Sequence, residues 1–249
     1  MMRAVFLGFE TTILDTLSSC CEIAGVFVAE PRFRLYSLPD WLLSNYPIRT
    51  RVRALTTRHP RWLHAWRRRL MRYHMMDSAR ERGLAQLVSP SANDGRFLST
   101  LSNLRPDIGV VANFGEILRE PILRIPRHGF INFHPSLLPQ YRGPTPLSRM
   151  LLSGEKRAGV TWHRVSEIVD GGEILAQEPF EILNGDTVSE LTRRSVELAA
   201  RMLPPTLDAI EQGLSHPLPQ DDRLASYFPK LSPEEKRQLA ALERRSCGS

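Results

Sequence analysis

The chain has 249 residues, with 42% hydrophobic and 24% charged side chains, an ordinary globular composition that excludes a disordered chain, a collagen-like repeat and a coiled-coil rod. Its 33 Lys and Arg against 27 Asp and Glu leave a formal charge of +6, which invites a nucleic-acid or other anionic partner. Cys20, Cys21 and Cys247 form no spaced framework and no apolar run approaches the ~20 residues that span a bilayer, so a reduced, cytoplasmic protein without membrane association is expected.

Residues 3–8 are apolar and end at Gly8, the pattern of a buried parallel strand. Glu10–Cys20 reads as a helix and Ile23–Ala29 as a second strand. Strand, helix, strand in thirty residues implies an α/β domain with a parallel sheet. The composition then shifts. Between Arg49 and Arg82 eleven arginines face two acids, Asp77 and Glu81. That stretch nets +9 and leaves −3 for the rest of the chain. Trp41, Trp62 and Trp66 lie in or beside it. It reads as a basic helical insertion over about residues 31–83. Such a segment can contact phosphates and stack bases, although a solvated helical face with packed tryptophans is the plainer reading.

The α/β pattern resumes with a short strand at Leu84–Val88 and a helix capped by Asn93 or Asp94 that carries Phe97, Leu98 and Leu101 on one face. Ile108–Ala112, Gly129–Asn132, Val160–Val165 and Ile174–Glu178 read as further strands. Thr187-Val188-Ser189-Glu190 is a capping box, and Pro204-Pro205 are expected to stop the helix it opens. The tail from His216 is polar and rich in proline.

Open α/β sheets bind ligands at the carboxyl ends of their strands. Gly8-Phe9-Glu10 lacks the dinucleotide fingerprint, and no P-loop, HExxH or GxSxG occurs; no metal is expected. Two strand ends stand out. Asn132 and His134 are two apart, so on an extended chain they face one side. Prolines at 135, 139, 144 and 146 fix the course of the loop that follows. The second is Val169-Asp170-Gly171-Gly172, a carboxylate before two glycines. An amide donor, an imidazole and a carboxylate in one cleft suit acyl transfer without an enzyme nucleophile.

The run Asn132–Pro146, Gly159-Val160-Thr161-Trp162-His163 and the downstream Asp170 loop together resemble the folate-dependent formyltransferases, which include enzymes acting on methionyl-tRNA, glycinamide ribonucleotide and amino sugars. Leu104–Leu118 is similar to the segment whose loop holds the pterin in that family. The resemblance covers about residues 85–205 well and 1–30 loosely. It implies a Rossmann-like fold: an open, twisted, mostly parallel sheet with helices on both faces. It further implies transfer of a formyl group from N10-formyltetrahydrofolate to an amine, without a metal. Asn132, His134 and Asp170 match the family's catalytic residues. Asn132 and His134 would steady the oxyanion, His134 would protonate the leaving nitrogen, and Asp170 would pair with His134. Ala112, Asn113, Phe114, Gly115, Ile117 and Val169 would bind the folate. Ser136, Tyr141, Arg142 and Gly143 would line the entrance for the acceptor.

Two features depart from the family. Residues 31–83 match no segment of it, and about forty residues follow Pro205, too few for the barrel-like second domain of the tRNA enzymes. The expected organisation is therefore a catalytic domain over 1–205 and a C-terminal extension over 206–249. The expected acceptor is a small molecule, first a nucleotide-linked amino sugar, then an amino acid such as N-hydroxyornithine. RNA binding through the arginine-rich stretch is the less favoured alternative, and a homodimer is admitted.

Overall fold

A computed structural model describes residues 1–27, 75–89 and 91–246. Strand β1 (Arg3–Gly8), helix α1 (Thr11–Cys20) and strand β2 (Glu22–Phe27) form the expected opening unit. After it come β3 (Gln86–Leu87), α2 (Gly95–Leu104), β4 (Ile108–Ala112), β5 (Phe130–His134), α3 (Pro146–Ser153), β6 (Arg157–Arg164), β7 (Ile174–Glu181), α4 (Val188–Glu211) and α5 (Pro233–Ser246). The strands form one sheet in the order β3-β2-β1-β4-β5-β6-β7. The pairs from β3 to β5 are parallel, and β6 and β7 are antiparallel additions at one edge. The fold is the Rossmann-like sheet that the sequence implies.

Helices cover both faces because successive strand residues point opposite ways. Ala4 and Phe6 of β1 enter a core with Ile13, Leu14 and Leu17 of α1 and Leu203 and Leu207 of α4. Val5 and Leu7 enter the opposite core with Phe97 and Leu101 of α2. Trp162 is fully buried and its indole N–H donates to the Ala199 carbonyl at 3.0 Å, which ties β6 to α4. Of the two candidate caps of α2, Asp94 fills the role, its carboxylate accepting from the Arg96 amide.

Helix α4 corrects one expectation. Its capping box forms as read, but the helix runs through Pro204 and Pro205 to Glu211. A proline inside a helix removes a hydrogen bond and disfavours the preceding turn. Here Thr206, Leu207 and Ile210 continue past the prolines the buried stripe that Leu203 ends before them, and burial of that stripe outweighs the lost bonds. The tail also contains more structure than its composition suggests. Glu235 accepts from the Ser232 amide at 2.7 Å while its own amide donates to the Ser232 hydroxyl, opening α5. Arg149 of α3 pairs with Glu235, and Glu243 accepts from the Val188 amide at 2.9 Å.

The expected basic insertion lies largely outside the described residues. Its end is helical over residues 75–81, with Met75 and Ala79 buried in the core beside α1 and Arg82 paired with Asp15. Among the described residues no helix is long and apolar enough to cross a membrane.

Candidate active site

The carboxyl ends of β4 and β5 lie side by side next to the point where the sheet changes from parallel to antiparallel, between β5 and β6. Pairing of Val111 with Asn132 and of Ala112 with Phe133 sets the β4 end beside the β5 end. Across the antiparallel pair β5–β6, Asn132 faces His163 and His134 faces Thr161. A register shift at Trp162/His163 adds a bulge to the β6–β7 pair at the strand end that leads to Asp170, where such irregularities re-aim the chain.

His134 is buried, and its Nε2–H donates to the Tyr141 carbonyl at 2.9 Å. This assigns the tautomer from the hydrogen-bond network and leaves Nδ1 facing Asp170 Oδ1 at 3.6 Å. The other oxygen of Asp170 accepts from the Gly143 amide at 2.8 Å. The loop geometry is demanding. Asn113, Tyr141 and Asp170 all have left-handed backbones, with φ of 55°, 59° and 51°. Non-glycine residues hold such angles only where their surroundings fix them, and they cluster at working sites. Gly143 has φ 112°, and a Cβ there would lie 2.2 Å from the Phe228 carbonyl oxygen. A Cβ on Gly172 would lie 1.9 Å from the Arg164 carbonyl oxygen. The two glycines let the loops pass against backbone.

His163, part of the quoted GVTxH run, is a member of this cluster that the sequence reading did not assign to the site. Its Nδ1–H donates to the Arg164 carbonyl at 2.8 Å, so Nε2 accepts from the Asn132 amide at 3.0 Å. Burial, reinforced by His134, pushes the His163 imidazole down to about 4. Its signal in the sequence was positional: the penultimate residue of the strand that returns opposite Asn132. The 3.8 Å gap from His163 Nε2 to Asp170 Oδ1 is too long for a hydrogen bond.

The proposed folate residues surround the neighbouring strand ends. The Ala112 carbonyl is taken by the Phe9 amide at 3.1 Å, and Asn113 donates to Glu10 at 3.0 Å. Burial raises the Glu10 carboxyl above its usual range, with the Asn113 bond opposing. Phe114 packs edge-on against Phe27, and a side chain on Gly115 would meet open space. Ile117 and Val169 keep exposed apolar surface. Glu116 anchors this loop by accepting from the Ser91 hydroxyl at 2.7 Å and the Ala92 amide at 3.0 Å. Glu10 and Glu116 were missed from sequence because each is an acid whose partner is distant in the chain.

The acceptor-side expectations fare differently. Ser136 is fully buried and its hydroxyl donates to the Gln140 carbonyl at 2.8 Å, so it braces the loop. Arg142 is only 8% exposed. Its guanidinium is held by Gln220 and Asp222. Tyr141 stacks on Phe228 at 5.2 Å and donates to Glu155 at 2.6 Å; its carbonyl is the part that reaches His134. Gly143 contributes its amide to Asp170.

Residues 45–207 match the family described as Formyl transferase. The match begins at residue 45, ahead of Arg49 and inside the 31–83 segment expected to match nothing in the family, so most of that segment belongs to the family's span. Methionyl-tRNA formyltransferase of Thermotoga neapolitana is 39% identical over 157 residues, covering 63% of this chain and 50% of that protein. The protein of the same name from Chloroflexus aggregans is 35% identical over 212 residues, covering 85% of this chain and 67% of that protein. The chain spans about half the length of the first curated relatives it matches. An N-formyltransferase from Helicobacter canadensis, solved with folinic acid and dTDP-3-aminofucose, superposes with a TM-score of 0.62 at 16% identity, covering 92% of this chain and 71% of that one; it shares the fold.

Proposed function

The chain belongs to the formyl transferase family, and from that membership we propose that it moves a formyl group from N10-formyltetrahydrofolate to an amine. The observation that carries the reading is the approach of the β5 end to the loop after β6, where His134 Nδ1 lies 3.6 Å from Asp170 Oδ1 and Asn132 is held beside them by His163. The residues around it fit the donor. Asn113 turns the chain back at the β4 end, and Ile117 and Val169 offer apolar walls to a flat ring. The donor supplies an activated one-carbon group at the formyl oxidation level.

The side chains then divide the work. Asn132 has two amide hydrogens and uses one on His163. The other is free to donate to the oxygen that gains charge during transfer, where a fixed donor is worth most. His134 keeps Nε2–H on the Tyr141 carbonyl and handles its mobile proton at Nδ1. Asp170 stabilises that proton through Oδ1 while the Gly143 amide fixes Oδ2, the pairing that lets an imidazole act as acid and then as base. His163, neutral near pH 7, keeps the Asn132 amide oriented.

We favour the amino group of methionine carried on tRNA as acceptor. The proteins named for that reaction are 35–39% identical, whereas the solved enzyme bound to an amino-sugar nucleotide is 16% identical. The +9 stretch between Arg49 and Arg82 suits an anionic acceptor of this kind. This revises the preference for an amino sugar. The test is a screen of methionyl-tRNA, nucleotide-linked amino sugars and N-hydroxyornithine with N10-formyltetrahydrofolate, read by mass. Formylation of methionyl-tRNA is expected. Formylation of an amino sugar alone overturns the acceptor, and formylation of none overturns the activity.

A further inference from the structure

We propose that Gln220, on the segment after α4 and beyond the family match that ends at residue 207, is a positioning residue for Asp170. The inference rests on the formyl-transfer reading and adds a residue from outside the matched span.

The segment first docks beside the Asp170 loop. Leu218 and Ile174 exchange two backbone hydrogen bonds of 2.8 Å at the start of β7. It then reaches the loop after β5: the Tyr141 amide donates to the Ser226 hydroxyl at 2.9 Å, the Arg142 amide to the Ser226 carbonyl at 2.8 Å, and the Phe228 amide to the Arg142 carbonyl at 2.9 Å. Between these anchors lies Gln220. Its Nε2 donates to the carbonyls of Asp170 at 2.8 Å and Gly172 at 2.6 Å, one on each side of Gly171. Its Oε1 accepts from Nε and Nη2 of Arg142 at 3.1 and 2.8 Å.

These bonds close a ring. Gln220 holds the Asp170 backbone and the Arg142 side chain, Arg142 leads to Gly143, and the Gly143 amide returns to the Asp170 carboxylate. The main chain of Asp170, in its left-handed conformation, is therefore fixed from the carbonyl side, and its carboxylate from the other. Only a primary amide offers two N–H donors and an acceptor on one group. A carboxylate has no donor for the two carbonyls, and asparagine is one methylene short. The function of the ring is to hold Asp170 Oδ1 toward His134 Nδ1.

The experiment compares Gln220→Ala, Gln220→Glu, Asp170→Ala and the Asp170→Ala/Gln220→Ala double variant. Formation of tetrahydrofolate from N10-formyltetrahydrofolate is followed with methionyl-tRNA as acceptor, and thermal unfolding is recorded for each protein. Gln220→Ala is expected to lower kcat ~10- to 100-fold, the scale of a small misplacement of a reacting group, with KM for the donor nearly unchanged. In the Asp170→Ala background the same change should cost nothing further, since a residue acting through Asp170 is silent once Asp170 is gone. Gln220→Glu keeps the contact with Arg142 but turns a carboxylate oxygen on the two carbonyls, so it should lose kcat as Gln220→Ala does and lower the unfolding midpoint as well. Equal losses from Gln220→Ala in both backgrounds, or parental kcat in Gln220→Ala beside an impaired Asp170→Ala, overturn the inference alone. Parental activity in Asp170→Ala overturns the transfer mechanism itself.

Discussion

Asn132 and His163 face each other across the antiparallel pair β5–β6, and the amide of Asn132 donates to Nε2 of His163 at 3.0 Å. The bond requires a neutral ring, because the Nδ1 hydrogen is already given to the Arg164 carbonyl. Burial supplies that condition by pushing the imidazole down to about 4.

A pH dependence of stability follows. The unfolded histidine titrates near its ordinary ~6.5. Between that value and about 4 the unfolded chain binds more protons than the folded one, so unfolding free energy rises with pH. The contribution is complete above about 6.5, declines as pH falls, and is exhausted below about 4. Its upper size is about 3 kcal/mol at the conversion of one pH unit to about 1.4 kcal/mol. Urea unfolding of the parent and of His163→Gln at pH 7.5 and 4.5 isolates it as the difference between the two slopes. Parallel slopes would refute a buried neutral His163.

Truncation at the reacting cluster should be severe. His134→Ala and Asp170→Ala are each expected to lower formyl transfer by at least ~10²-fold, the scale of a positioned proton-transfer group. Single-turnover kinetics with the donor prebound separates this loss from weaker binding. An undiminished rate in either variant removes that residue from the mechanism.

Gly143→Ala tests the packing of the loop against the tail. The added methyl would meet the Phe228 carbonyl 2.2 Å away, on a backbone at φ 112°. A loss of about 1–3 kcal/mol is expected from the backbone conformation alone. Activity should fall with it, because the Gly143 amide is a ligand of Asp170. Chemical denaturation and kcat measured on one preparation check both; a variant unchanged in both removes the steric argument.

Pro205→Ala should act in the opposite direction. Pro205 is exposed inside α4, so alanine restores a helical donor without disturbing the buried stripe. A gain of about 2 kcal/mol is expected, since the ~3 kcal/mol penalty of an interior proline is offset by only about 1 kcal/mol from the freedom it removes from the unfolded chain. Lower stability on thermal unfolding would mean that the proline ring itself packs productively.

The sequence discloses what depends on neighbours in the chain. The opening βαβ unit is legible because apolar runs and a helical stripe alternate within thirty residues, and Thr187 and Glu190 announce their helix because both halves of the box are three apart. Asn132, His134 and Asp170 are legible through spacing and the family pattern. What escapes is set by distant partners. Nothing local reveals that Ser136 turns inward to Gln140, that Arg142 spends its charge on Gln220 and Asp222, or that Glu10 lies against Asn113. Proline at 204 and 205 misleads for the same reason: a local rule meets a buried surface supplied from elsewhere.

The docking of Gln220 on Asp170 also sets an order of events during synthesis. Residues 132 to 170 leave the ribosome well before residue 220, and folding of a nascent chain proceeds from its amino end. The end of β5 and the loop after β6 can assemble early, yet the carbonyls of Asp170 and Gly172 await their amide partner until the segment up to Phe228 has emerged. Competence is therefore acquired late, after the sheet has formed. A protease cut in the exposed turn at residues 212–214 would reverse that last step while leaving the sheet standing.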